Sequence, residues 1–149
     1  KTEVMRRTTI GSMAPEITLP DTRGKMVSLS SLRGKVVLID FWASWCGPCK
    51  ASLPGLIRIY NKYKNKNFTI FSVSLDKFKS DWEQAIKHFN LTWTQVSELK
   101  YWNSKVVGLY NFDGIPYTVL VSPEGKILDK KLSDSDLEKE LHDLLDKSK

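Results

Sequence analysis

The sequence holds two cysteines, and both fall in one short stretch, Trp45-Cys46-Gly47-Pro48-Cys49-Lys50. Such a pair can ligate a metal, staple a fold or exchange disulfides. Zinc is disfavoured: a closed site wants four ligands, usually a second close pair of Cys or His. His88 and His142 lie far apart, inside two separate predicted helices, and read as surface residues. No second bridge is available either, so the pair cannot belong to a multi-disulfide framework.

The flanking elements favour redox chemistry. Val36–Trp42 (VVLIDFW) is a dense run of strand formers and reads as a strand buried on both faces. A helix follows from about Gly47 to Tyr63, with Pro48 suited to its first turn. Cys46 therefore stands where a helix opens, near unpaired N–H groups and the positive end of the dipole. That setting stabilises a thiolate, the species that attacks disulfides. Cys49 follows one turn later on the same face, close enough to pair with Cys46 and release a mixed intermediate. Gly47 leaves access open, and Pro48 stiffens the turn.

The rest of the chain reads as a frame for that junction. Length (149 residues), 41% hydrophobic and 27% charged content suit one soluble-type domain with a sizeable core. Residues 1–13 read as a linker or arm and 14–149 as the domain. The chain starts at Lys1 without a basic-then-apolar leader, as expected of a processed chain or an excised domain. No apolar run approaches the roughly 18 residues that suggest a membrane span. A net charge of +6 with scattered lysines and five arginines reads as a solvated surface, not a nucleic-acid stripe.

Further elements follow from pattern. Glu16–Leu19 and Lys25–Leu29 read as short strands around a Pro20–Gly24 turn. Leu53, Leu56, Ile57 and Tyr60 mark the apolar stripe of the first helix, and Pro54 should kink it. Phe68–Leu75 is a strand. Ser80-Asp81-Trp82-Glu83 has capping-box spacing before a helix whose face carries Trp82, Ala85, Ile86 and Phe89. Leu91–Val96 is extended or irregular, and Ser104–Tyr110 a short helix. Tyr117–Val121 and Lys126–Lys131 form a hairpin across Ser122–Gly125. A last helix begins at Ser133 and aligns Leu137, Leu141, Leu144 and Leu145. Trp42, Trp82, Trp93 and Trp102 read as packing residues. Strands alternating with helices, then a hairpin and a helix, give an α/β fold with a mixed central sheet covered on both faces.

Asp40–Lys50 resembles the active-site segment of thioredoxins. Ser28–Leu38, Gly114-Ile115-Pro116 and Val119–Ile127 are similar to the corresponding segments of TlpA/ResA-like thiol-disulfide oxidoreductases. The resemblance covers roughly residues 14–147. It implies a thioredoxin-like fold with an N-terminal β-hairpin extension and an inserted helical segment. It implies Cys46 as nucleophile, Cys49 as resolving thiol and a cis Ile115–Pro116 bond facing Cys46. Trp45, Gly47, Pro48, Ile115, Pro116 and Tyr117 would border the substrate segment, with Trp45, Ile115 and Tyr117 as an apolar rim; strand packing is the plainer reading of Tyr117.

The resemblance further implies a monomer working in the periplasm or cell envelope, membrane-tethered or lipoprotein-anchored in the full-length protein. It implies protein disulfides as substrates (in apo-cytochrome c or other exported proteins), re-reduction by an upstream dithiol donor at the membrane, and no cofactor beyond the Cys46–Cys49 pair. Two positions depart from the TlpA-like pattern. Position 40 is Asp where many such proteins have Asn, and position 52 is Ser where many have Glu. Asp40 is then the expected proton shuttle for Cys49; its plainer reading is a hydrogen-bonded strand residue. Thioredoxin's buried Lys aligns with Ser72, so burial should raise the Asp40 pKa. Two rivals remain open. A peroxiredoxin-type peroxidase would carry Pro-x-x-x-Thr-x-x-Cys, where Ile39 and Ala43 stand here. A metallochaperone would resemble Cys-x-x-x-Cys with a later His.

Overall fold

The computed structural model describes residues 8–146. The Pro20–Gly24 turn forms because Asp21 Oδ1 accepts from the backbone N–H groups of Arg23 (2.9 Å) and Lys25 (3.0 Å). It joins β1 (Thr18–Pro20) to β2 (Met26–Ser28) in a two-stranded antiparallel sheet. β1 starts later than the expected Glu16. The Glu16 carboxylate instead accepts from the N–H of Ser30 at 3.0 Å and from its hydroxyl, anchoring the 3₁₀ turn Leu29–Leu32.

A second sheet has five strands. Its centre is β3 (Val36–Trp42), whose seven residues are all buried. β4 (Phe68–Ser74) runs parallel to β3, and β5 (Thr94–Val96) parallel to β4. β6 (Tyr117–Val121) runs antiparallel to β3, and β7 (Ile127–Lys130) antiparallel to β6. Residues 8–13, inside the expected arm, dock on this sheet; the remainder of that arm lies outside the described residues. Gly11 N donates to Ile127 O, and Ile127 N to Ser12 O, both at 2.8 Å. These bonds occupy backbone groups that an edge strand would otherwise expose.

α1 (Gly47–Tyr63) follows β3 and packs against α4 (Asp134–Leu141). The buried residues of α1 are Cys49, Leu53, Leu56, Ile59 and Tyr63; Ile57 and Tyr60 are only half-buried. The stripe is thus centred on Ile59 rather than on Ile57. Successive side chains of β3 alternate faces. Leu38 and Asp40 meet Leu56 of α1 and Leu137 of α4 around one cavity. Phe41 packs on Tyr110 of α3 (Lys105–Tyr110), with ring centroids 5.3 Å apart.

Two helix termini differ from the sequence expectation. α2 (Lys79–Phe89) begins before Ser80, with Phe78 at its N-cap and no side-chain cap bond. Burial of Trp82 and Ala85 sets its register, overriding the weaker capping preference. α4 starts where expected: Ser133 Oγ accepts from Asp136 N at 3.2 Å. It continues as a π turn, His142–Asp146, that turns Leu144 outward to 36% exposure. Asp146 anchors that turn by accepting from Tyr63 Oη (3.0 Å) and Lys66 Nζ (2.9 Å).

Candidate active site

β3 delivers the chain to the surface, and a tight turn passes it to α1, with Cys46 N donating to Ala43 O at 3.2 Å. Cys46 is the N-cap of α1. Its Sγ accepts the Cys49 N–H at 3.2 Å, while its carbonyl accepts from Lys50 N at 3.1 Å. The first sulfur therefore occupies the place an N-capping oxygen would fill. When the pair is reduced, the same N–H and the helix dipole favour the Cys46 thiolate. Here Cys46 and Cys49 form a disulfide with Cα atoms 5.3 Å apart. Both are nearly covered, at 5% and 2% exposure. Gly47 and Pro48 are exposed, and a Cβ on Gly47 would meet nothing within 4 Å.

The loop before β6 closes the other side. Cys46 Sγ lies 3.7 Å from the carbonyl oxygen of Ile115, and the Ile115–Pro116 peptide is cis. Pro116 is exposed, Ile115 half-buried and Tyr117 buried. Tyr117 stacks on Phe112 at 5.2 Å, so it backs the loop rather than forming its outer rim. Trp45 is 45% exposed beside the sulfurs, and its ring lies 5.3 Å from that of Tyr101. Tyr101 belongs to the inserted segment; its ring contacts Trp102, which contacts Phe112.

Asp40 sits behind this surface, on the central strand. It is 5% exposed, and its register partner on β4 is Ser72. Ser72 Oγ donates a long hydrogen bond, 3.4 Å, to Asp40 Oδ2, and itself accepts from the Trp93 indole N–H at 2.7 Å. Burial dominates, and the Asp40 pKa is pushed up to about 7. Asp40, Ser52 and Pro116 line one cavity of about 610 Å³ between the start of α1 and the β6 loop. A carboxyl that titrates near neutrality can take and return a proton at working pH.

This geometry has close counterparts. Residues 10–130 match the AhpC/TSA family. Over 135 residues the chain is 32% identical to the thiol-disulfide oxidoreductase ResA of Bacillus subtilis strain 168, covering 91% of this chain and 73% of that protein. The chain belongs to the AhpC/TSA family. Within it, this is a ResA-like thiol-disulfide oxidoreductase with a thioredoxin-like fold. The thioredoxin domain of a thiol-disulfide oxidoreductase from Bacteroides vulgatus superposes with a TM-score of 0.86 at 40% identity, over 92% of this chain and 98% of that one. A thiol:disulfide interchange protein from Bacteroides sp. gives 0.86 at 40% identity, over 95% and 93%.

Two residues of this oxidoreductase's site escaped the sequence reading. Asp76, fully buried just past β4, accepts from Ser44 N at 3.2 Å, from Ser44 Oγ, and from Ser74 Oγ at 2.6 Å. It thereby holds the turn that presents Trp45 and Cys46. A lone Asp following a buried strand was the available signal, and it is a weak one. Tyr101 had no signal at all: its place beside Trp45 depends on how the insert folds back. Among the described residues no helix is long and apolar enough to cross a membrane.

Proposed function

We propose that this oxidoreductase works as a reductant of protein disulfides in exported proteins, in the periplasm or cell envelope. The observation that carries it is Cys46 capping α1 with its sulfur on the Cys49 N–H, with Asp40 buried behind. The Cys46 thiolate attacks a substrate disulfide, forming a mixed disulfide and releasing one substrate thiolate, which takes a proton from water. Cys49 S–H passes its proton to the Asp40 carboxylate. The resulting thiolate attacks Cys46 Sγ and releases the second substrate thiolate, which takes the proton back from the Asp40 carboxyl. The substrate gains two electrons and two protons, and the enzyme is left with the Cys46–Cys49 disulfide. An upstream membrane-side dithiol returns the electrons.

Trp45, Ile115 and Pro116 border the groove where an extended substrate segment would lie, Gly47 and Pro48 leave the sulfurs approachable, and Tyr117 supports the groove from behind. The reducing direction rests on Gly47-Pro48 between the cysteines, which resembles thioredoxin, at about −270 mV, rather than strong oxidants near about −120 mV. The deciding measurement is the Cys46–Cys49 reduction potential against glutathione. A value near that of thioredoxin is expected; one near that of the strong oxidants overturns the reductant reading. Cys49→Ser should trap substrates as mixed disulfides. Ile39 and Ala43 leave the peroxidase loop unmatched, so thiol-dependent consumption of hydrogen peroxide should be negligible.

A further inference from the structure

The cavity that Asp40 lines holds two further carboxylates, Asp113 at the β6 loop and Asp134. Asp134, the first residue of α4, lines it together with Asp40 and Ser52. Its side chain leans against α1 where Gly55 stands; a Cβ on Gly55 would collide with Asp134 Oδ2 and come within 3.2 Å of its Cγ. A glycine inside a helix is less stabilising than alanine, yet here the missing methyl is what admits the carboxylate. Asp134 is half-buried, between covered Asp40 and the exposed Lys131 and Ser133 at the cavity mouth.

We propose that Asp134 is a positioning residue of the exchange reaction: let into the cavity by Gly55, its carboxylate acts through Asp40 on the Cys49 proton. This rests on Asp40 being the base for Cys49. Two negative charges lining one partly enclosed cavity oppose each other. The Asp134 charge adds to burial in raising the Asp40 pKa, and burial raises the Asp134 pKa as well, against the lowering effect of Arg58. Arg58 faces Asp134 from α1. Asp113 and Tyr117 face the cavity from the β6 loop and β6, and Lys131 faces it from the segment before α4. All four are unchanged by a substitution at Asp134, so its effect on Asp40 can be read separately.

The test uses the full chain, reduced, with dithiobis(nitrobenzoate). The second thionitrobenzoate released reports attack by Cys49 on the mixed disulfide at Cys46. Its rate is followed against pH in wild type, Asp134→Asn, Gly55→Ala and Asp40→Asn. Asp134→Asn removes the charge, and Gly55→Ala displaces it while favouring the helix. Both should move the acid limb to lower pH, so that the rate near about pH 6 rises roughly twofold or more. Asp40→Asn should lose the limb. Asp134→Asn and Gly55→Ala profiles that coincide with wild type, while Asp40→Asn lacks the limb, overturn the role of Asp134 and leave that of Asp40 standing. So does an Asp134→Asn effect confined to melting temperature, which marks a helix-start residue only. An intact limb in Asp40→Asn overturns the base itself, and with it this proposal.

Discussion

Asp40 and Asp76 are both buried acids, on neighbouring parallel strands or just beyond them, at 5% and 0% exposure. Their surroundings differ. Around Asp76 a backbone N–H and two hydroxyls converge, and its own N–H donates to Ser74 Oγ at 2.8 Å. The region is a knot that holds the Ser44–Trp45 turn. Around Asp40 the hydroxyl that favours its charge stands at 3.4 Å, and the carboxyl opens on a cavity shared with Ser52 and Asp134. Burial alone does not make an acid functional. The thin supply of donors at Asp40 leaves burial to dominate and its proton affinity raised.

The largest effects should fall on the sulfurs between the two regions. Cys46→Ser should abolish exchange, by about a thousandfold or more, whatever the state of either aspartate. Insulin-disulfide reduction measures this, and residual turnover would place the attack on Cys49. Asp40→Asn should slow resolution about a hundredfold, seen as accumulated mixed disulfide under stopped flow. Asp76→Asn should leave the resolving step near wild type once folded, because its carboxylate is taken up by the hydrogen bonds that hold the Ser44 turn. Equal slowing by both substitutions would break the contrast.

Stability should separate them by sign. The Asp40 pKa rises from 3.8 to about 7 in the folded chain, so the native state binds the extra proton between those values. Its stabilising contribution is full below the unfolded value and is lost as pH climbs through about 7. Asp40→Asn should therefore be more stable than wild type near about pH 8, by on the order of 2–4 kcal/mol, and show a flatter pH profile in urea melts. Asp76→Asn should instead lose about 1–3 kcal/mol, since buried donors lose their partner. A gain at Asp76 would mean that its donors do not compensate its burial.

The smallest effect should lie on the rim. Tyr101→Ala removes an exposed ring contact worth about 0.5–1.5 kcal/mol. It should reduce turnover of a protein disulfide a few-fold and leave dithiobis(nitrobenzoate) unaffected. Equal loss on both would mean that Tyr101 supports the turn and not the substrate.

Much of this site was legible before the structure. The apolar run 36–42 could hardly be anything but a central strand, and Pro48 with a helical stripe placed Cys46 at a helix start. Ser72 as the neighbour of Asp40, and the raised proton affinity expected there, came from the resemblance to thioredoxin, whose buried Lys aligns with Ser72. The strand and the helix start rest on period, capping and residue size, which act over a few neighbouring residues. Boundaries were less secure where such forces compete, as at Ser80, where the buried Trp82 outweighed a good cap.

The local pattern of the chain was enough to place the groups: two sulfurs one turn apart at the opening of a helix, and an acid on the strand beneath. Tertiary structure alone decided what surrounds them. Asp134 reaches Asp40's cavity only because α4 packs on α1 at Gly55, and Tyr101 reaches Trp45 only because the insert folds back. Residues 11–14 cap the sheet edge for the same kind of reason. Such contacts join residues many tens of positions apart, and their energy comes from packing and shared burial, which leave no periodic trace in the chain.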